Sequence, residues 1–305
     1  MSTYVLTTPA LDERERLPGL LADLEGQTPV PSVWLVVDDG STDGTWQWLE
    51  EAARSRDWME VRRSPEVSQE YLGGHVARIK RWGLEQALTI ARERGQEPFA
   101  AGVVDADLRL PKDHYARLLE VLVHDSTMGV VSSIIRAEGE GEKKEAFQRT
   151  DLPRGGTQTF RVACLEEIGG IPPYAGFDGA GNVKAKLAGW KTKLLTDLVA
   201  SHARPTATRF GVGPGYIRKG QYAWFLGLHP IVVAGRSAAF TLRSPHAGGF
   251  WFLRGWVGAA LRRQERCPDS EVRDYYGNER LREYVRAALG RGPGFAGRDE
   301  NDENR

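Results

Sequence analysis

Two cysteines in 305 residues leave little to staple a fold. Cys164 and Cys267 lie far apart and lack metal-ligand spacing, which argues against a disulfide framework and fits a reducing cytoplasm. Neither charge sign is in excess: Lys+Arg and Asp+Glu both total 41, so no global basic field draws the chain to nucleic acid. No long apolar run is present. The best, Tyr222–Leu242, is interrupted by Pro230 and Arg236 and is not a clean membrane span. The N-terminus opens directly into Tyr4-Val5-Leu6, so no signal peptide is expected. No G-x-G-x-x-G follows the first strand, and G-x-x-x-x-G-K-[ST] is missing, which leaves a Rossmann dinucleotide site and a P-loop without support.

What is present is alternation. Tyr4–Thr8 reads as a strand ended by Pro9. The leucines of Glu13–Glu25 recur at helical spacing, and Val33–Val37 has the continuous apolarity of a strand buried on both faces. A helix is expected from Gly44 to Arg54 with Trp46, Leu49 and Ala53 inward, then a strand at Met59–Arg62. A long helix over His75–Arg94 and a strand at Phe99–Val104 come next. Asp113–His124 is an amphipathic helix, Val130–Ile135 a strand, Gly181–Ala188 a helix and Lys193–Ala200 a strand. The class is α/β: a mostly parallel sheet flanked by helices, whose ligands bind beyond the carboxyl ends of the strands.

Two acidic turns lie at such ends. Asp38-Asp39-Gly40-Ser41 closes one apolar run, and Asp105-Ala106-Asp107 follows another. Asp38 and Asp39 can accept hydrogen bonds from a base N–H and a ribose hydroxyl. Gly40 admits a close backbone approach, and Ser41 or Thr42 can cap the next helix. The blander reading is a helix-capping turn alone. In an extended segment Asp105 and Asp107 would share one side and address one hard cation, Mg2+ or Mn2+. Arg78, Lys80 and Arg81 open the long helix as candidates to meet phosphate, or as a solvated face.

These segments resemble the inverting, family 2-type glycosyltransferases of the GT-A fold, over about residues 3 to 205 and closest to a bacterial and archaeal branch. Asp38-Asp39-Gly40-Ser41-Thr42-Asp43-Gly44-Thr45 matches that family's D-D-G-S-x-D-G-T segment throughout. Pro9-Ala10-Leu11-Asp12-Glu13 resembles its P-x-x-N-E opening, with Asp12 in place of Asn. Asp105-Ala106-Asp107 matches its metal-binding D-x-D, and Gly156–Gly170 resembles the acceptor-side stretch that precedes its base. The family shows E-D about a dozen residues before a G-[WY] pair. Here Gly189-Trp190 is the pair, Asp178 takes the second acid's position and Phe177 replaces the first.

The resemblance implies a GT-A, Rossmann-like catalytic domain over residues 1–210, with a nucleotide-sugar half to about 110 and an acceptor half beyond. It implies nucleotide-sugar contacts from Pro9, Asp12, Glu13, Asp38, Asp39, Ser41, Asp105 and Ala106, with Arg78 and Lys80 as the basic candidates. The metal would be held by Asp107, Asp105 and His202, and Asp178 would be the base. Asp178 also fits a helix N-cap, and His202 a strand-end histidine bonded to backbone. The implied reaction moves a sugar from a UDP- or GDP-linked donor to a hydroxyl of a glycan or lipid-linked acceptor, with Mg2+ or Mn2+, in glycan, polysaccharide or glycolipid synthesis. Two other readings stand beside it: a polyprenyl-phosphate sugar synthase, and a non-catalytic sugar-nucleotide or glycan-binding module.

Beyond the expected loop Phe210–Gly215, residues 211–289 read as a helical, aromatic-rich extension, and 290–305 as a disordered tail. Phe250–Arg263 places Phe250, Leu253, Trp256, Val257 and Leu261 near one helical face with arginines alongside. That pattern suits peripheral membrane contact within 216–263 at the inner face of the cell membrane, or packing on the catalytic domain.

Overall fold

The computed structural model describes residues 3–66, 74–137, 150–202, 212–242 and 246–288. The chain divides into two compact units, the second beginning at Pro205. In the first, strands β1 (Tyr4–Ala10), β2 (Val33–Asp38), β3 (Met59–Arg63), β4 (Ala100–Val103), β5 (Leu108–Arg109), β6 (Met128–Ala137), β7 (Thr159–Arg161) and β8 (Lys191–His202) form one sheet in the order β3-β2-β1-β4-β7-β6-β8-β5. The pairs β1–β2, β2–β3, β1–β4 and β6–β8 are parallel, and β7 runs antiparallel to both β4 and β6. The sheet is therefore parallel in its first half and mixed in its second.

Alternate strand residues feed two cores. Tyr4, Leu6, Trp34 and Val36 pack on one face with α1 (Leu17–Glu25), α2 (Thr45–Ala53) and α4 (His114–His124). Val5, Leu35, Val37 and Val103 pack on the other with α3 (Gly74–Glu93), α5 (Val162–Glu167) and α6 (Phe177–Leu187). Burial on both faces explains the continuous apolar runs, each such side chain contributing about 2 kcal/mol. At Gly83 helix α3 comes so close to β1 that a Cβ would meet the Thr7 hydroxyl.

Several boundaries differ from the sequence pattern. Pro9 does not end β1, which continues to Ala10 opposite Asp38. The Thr7 carbonyl accepts from Val104 on the β4 side, and the Ala10 carbonyl accepts from Asp39 on the β2 side. The position of Pro9, two past Thr7, therefore faces the side where β4 has already stopped, and its missing N–H leaves no ladder bond unmade. Helix α1 begins at Leu17 rather than Glu13, with a proline in its first turn. On α2, Thr45, Leu49 and Ala52 are buried, while Trp46 stays half-buried under the Arg63 guanidinium, 4.2 Å from its ring.

The second unit is helical: α7 (Val212–Phe225), α8 (Pro230–Thr241), α9 (Gly248–Leu261), α10 (Ser270–Asp274), a π-helical turn at Tyr275–Glu279 and α11 (Arg280–Ala288). Val212–Gly215 belong to α7 rather than to a loop. Phe210, Gly211 and the 290–305 tail lie outside the described residues. Asp269 caps α10 by accepting from the Glu271 and Val272 amides.

Candidate active site

The carboxyl ends of β1 and β2 meet at one edge. Asp38 ends β2, level with Ala10 of β1 and Arg63 of β3. Its side chain is fully buried and neither oxygen has a hydrogen-bond partner among the described residues; the Arg63 guanidinium is 3.7 Å from Oδ2. Asp39 points elsewhere. Both of its oxygens lie 2.9 Å from Nε2 of His75, a nearly buried residue in the first turn of α3.

The loop beyond is sewn to the one after β1. Asp12 adopts a left-handed backbone, φ 55°, and accepts the Thr42 amide at 2.7 Å. Its own amide donates to Ser41 Oγ at 2.9 Å, and the Glu13 amide donates to Thr45 Oγ1 at 3.0 Å. Asp43 accepts from the Thr45 hydroxyl and from the Arg14 and Thr45 amides. Desolvation is the largest single influence and raises its pKa, but these bonds together outweigh it and hold the carboxyl below the usual range. Gly40 and Gly44 sit at φ 89°, a conformation that side-chain-bearing residues resist.

Asp105-Ala106-Asp107 is a turn rather than an extended segment, closed by the Leu108 amide donating to the Asp105 carbonyl at 3.2 Å. Ala106 is buried in the core, and the two carboxylates go to different partners. Asp105 Oδ1 accepts from Lys80 Nζ at 2.6 Å. Asp107 Oδ1 lies 3.2 Å from His202 Nδ1. Strand β5 makes that second contact, because it runs back along β8 with Leu108 opposite His202. The Asp107 carboxylate raises the His202 pKa, Asp105 adds to the effect, and partial burial opposes it.

Asp178 lies in the first turn of α6, which starts four residues earlier than the sequence pattern indicates, after Gly176 in a left-handed conformation. It is therefore not the N-cap. The Asp178 carbonyl accepts from Gln158 Nε2 at 3.2 Å, and that same nitrogen donates to Asn182 Oδ1 at 2.8 Å. Between Asp178 and Asp105 run two glycines. A Cβ on Gly155 would come within 2.9 Å of the Asp178 Cβ, and one on Gly156 within 2.9 Å of Asp105 Oδ2. The Asp105 amide also donates to the Gly156 carbonyl. Lys80 joins the two acids' surroundings, donating to the Gly155 carbonyl at 3.3 Å and lying over the Phe177 ring at 4.7 Å.

The structure thus brings Asp105, Lys80 and Asp178 around one diglycine. Asp107 pairs with His202 two residues beyond Asp105, and Asp38 and Asp39 lie at the end of β2, which β1 separates from β4. Pro9 and Ala106 serve as backbone and core, and Ser41 and Asp12 as loop cross-links. Glu13 pairs with Arg16 at 3.0 Å and Arg78 with Glu66 at 2.9 Å. Arg81 pairs with Glu85 and donates to the Ile171 carbonyl at 3.2 Å. Sequence reasoning missed His75, Gly155 and the Gln158–Asn182 pair. The one available signal was the Gly155-Gly156 doublet ahead of a β-branched strand.

Among the described residues, no three or more His, Cys, Asp or Glu side chains converge as a metal cage. The donors at hand are the Asp107 carboxylate and the adjacent His202 imidazole, with Asp105 already neutralised by Lys80. Such a pair fits a hard cation that keeps several waters and shares a diphosphate, and does not fit a fully protein-ligated one.

Comparisons with known proteins bear on the family and the fold. The chain is 32% identical over 114 residues to an undecaprenyl-phosphate mannosyltransferase of Micrococcus luteus, a match covering 37% of this chain and 42% of that protein. The chain thus spans less than half the length of that curated relative. The fold is similar to that of mannosyltransferase PcManGT from Pyrobaculum calidifontis, solved with GDP-Man and Mn2+. The TM-score is 0.54 at 20% identity, covering 94% of this chain and 80% of that one. It is also similar to S. aureus TarS 1–349 in complex with UDP-GlcNAc, with TM-score 0.55 at 18% identity, covering 95% and 88%. At such identities the likeness speaks for the GT-A fold alone. The model of Glycosyl transferase family 2 matches residues 6–179, from β1 through both acidic turns to one residue past Asp178. With more than half its length so matched, the chain belongs to glycosyl transferase family 2, and its fold is of the GT-A type.

Proposed function

We propose that the protein transfers a sugar, with inversion, from a nucleoside-diphosphate donor to an acceptor hydroxyl, with Asp178 as base and Mg2+ or Mn2+ as cofactor. The observation that carries the donor half is Asp38: a buried carboxylate at the carboxyl edge of a sheet, whose two oxygens lack hydrogen-bond partners among the described residues and have only the Arg63 guanidinium nearby, at 3.7 Å. Leaving such a group unsatisfied costs on the order of 1–3 kcal/mol, which a base N–H or a ribose hydroxyl removes. Asp39, held by His75, supplies the second acceptor. Remote contacts of this kind align the anomeric carbon for the step that follows.

Asp107 and His202 would hold the cation, His202 as a neutral imidazole. When bound, the cation supplies Lewis-acid neutralisation of the departing diphosphate. Asp178, across the diglycine from Asp105, takes the acceptor proton as the hydroxyl attacks the face opposite the leaving group. One displacement inverts the centre, and no enzyme nucleophile is required. The diglycine leaves open the space between the two carboxylates that a side chain would fill.

The test is release of nucleoside diphosphate from a panel of UDP- and GDP-sugars with Mn2+, with and without acceptor, together with calorimetric donor titration of Asp107→Ala. Acceptor-dependent release and loss of metal-dependent donor binding in the variant are expected. Donor binding that is unchanged in Asp107→Ala would remove that residue from the metal site.

The match to an undecaprenyl-phosphate mannosyltransferase favours a second reading, in which the acceptor is a lipid phosphate. A phosphate is already ionised and needs little help from a base. Under that reading Asp178→Asn would retain most of its turnover on polyprenyl phosphate.

A further inference from the structure

Helix α9 carries two stripes on opposite faces. Gly248, Gly249, Phe252, Gly255 and Ala259 are buried. They meet α7 and α8 so closely that a Cβ on Gly255 would strike the Ile217 carbonyl, and one on Gly249 the Ser237 carbonyl. That contact is backbone against backbone; it admits Phe252 but leaves Phe250, Leu253, Val257 and Leu261 outside. Phe250, Leu253, Val257 and Leu261, at spacings of three and four, are all exposed, Phe250 at 62% and Leu261 at 80%. On α8, Ile231 is 63% exposed, and Leu242, which follows that helix, is 82% exposed.

The surrounding charge is one-sided. Between residues 212 and 266 the sequence carries eight Lys or Arg and a single acidic residue, Glu265, in a chain whose overall charge is zero. Arg254 is exposed beside the apolar stripe, and Arg262 and Arg263 are exposed just beyond its end. No described helix is long and apolar enough to cross a membrane.

We propose that the C-terminal unit docks on an anionic lipid bilayer, with Phe250, Leu253, Val257 and Leu261 entering the headgroup boundary and Arg254, Arg262 and Arg263 meeting lipid phosphates. Apolar burial and electrostatic attraction act together in such interfacial helices. The same excess of positive charge opposes pairing of this face with a second copy of itself. The docking goes beyond the proposed reaction and holds for any donor or acceptor.

The experiment is co-sedimentation of the full chain with phosphatidylglycerol-containing vesicles and with pure phosphatidylcholine vesicles, for wild type, Leu253→Glu/Val257→Glu and Arg262→Glu/Arg263→Glu. The wild type is expected to bind the anionic vesicles and to leave them in high salt. The first variant, altered only at exposed positions, should keep the wild-type circular dichroism and melting temperature while binding about tenfold less or weaker still. The second should lose its preference for anionic lipid. Three results would overturn the proposal: a wild-type chain that stays in the supernatant with anionic vesicles, a folded Leu253→Glu/Val257→Glu variant that binds as wild type, or an arginine variant that keeps the wild-type lipid preference. A wild-type dimer that the first variant makes monomeric, with no vesicle binding, would assign the face to a second copy instead.

Discussion

Lys80 holds Asp105 from inside the protein: its ammonium, nearly inaccessible to water, sits 2.6 Å from Oδ1 of a carboxylate that is one-third exposed. The consequence is a division of labour within the D-x-D turn. Asp105 carries a charge that the Lys80 ammonium answers, and in the proposed reaction Asp107, which lies against His202, would meet the cation. Removing one member of a buried pair strands the other, at about 3–5 kcal/mol for full burial and less where solvent reaches one side. Lys80→Met should therefore lower unfolding stability by about 2–3 kcal/mol in urea titration. Lys80→Met/Asp105→Asn should recover part of that loss. Strictly additive losses would mean that the pair is not coupled.

His75 clamps Asp39 through both carboxylate oxygens, and its own Nδ1 is buried without a hydrogen-bond partner among the described residues. A side chain held this firmly for a ligand should affect binding more than chemistry. His75→Phe keeps the ring volume and releases Asp39, so donor Kd should rise about tenfold, the equivalent of roughly 1.4 kcal/mol, with kcat little changed. A variant with wild-type donor Kd in calorimetry would show that Asp39 needs no clamp.

The strands were readable because both faces are buried, which writes Val33–Val37 as one apolar run. The acidic turns were readable because their residue order is so specific. Partner choice was not. Lys80 finds Asp105 because α3 crosses β4 on one face of the sheet, and His202 finds Asp107 because two residues of β5 double back along β8. Neither contact leaves a local period. Helix α9 is the reverse case. Its two stripes are both visible in the sequence, but which one turns inward depends on how closely α7 can approach, and glycine rather than size decided it. The start of α6 was missed for a related reason: Gly176, in a left-handed turn, opens the helix without a capping side chain.

Asp178 in the first turn of α6 has two effects that one substitution separates. Its charge favours the helix N-terminus by about 0.3–1 kcal/mol, and as base it would contribute about 10²–10⁴ in rate. Asp178→Asn should therefore melt within a few degrees of wild type, bind donor normally and lose kcat by at least about a hundredfold on a hydroxyl acceptor. Single-turnover transfer from a labelled donor is the measurement. Near-normal transfer would exclude Asp178 as base, and a large loss of donor affinity would make it a binding residue instead.

His114 lies far from this chemistry in kind but not in consequence for handling the protein. It opens α4 fully buried, edge-on to Tyr115 at 5.0 Å, and neither ring nitrogen has a hydrogen-bond partner among the described residues. Burial alone pushes its pKa down to about 3. Above about pH 6.5 the ring is neutral both folded and unfolded, and its titration leaves stability unchanged. As pH falls below that value the unfolded chain binds a proton that the folded protein refuses until about pH 3, so stability declines by about 1.4 kcal/mol per unit across this window. His114→Phe preserves the shape and removes the titration. Between pH 6.5 and 4.5 wild type should lose roughly 2–3 kcal/mol more than the variant in urea unfolding, since every other titrating group is common to both. Parallel stability curves would mean that the imidazole is protonated, or hydrated, in the folded state.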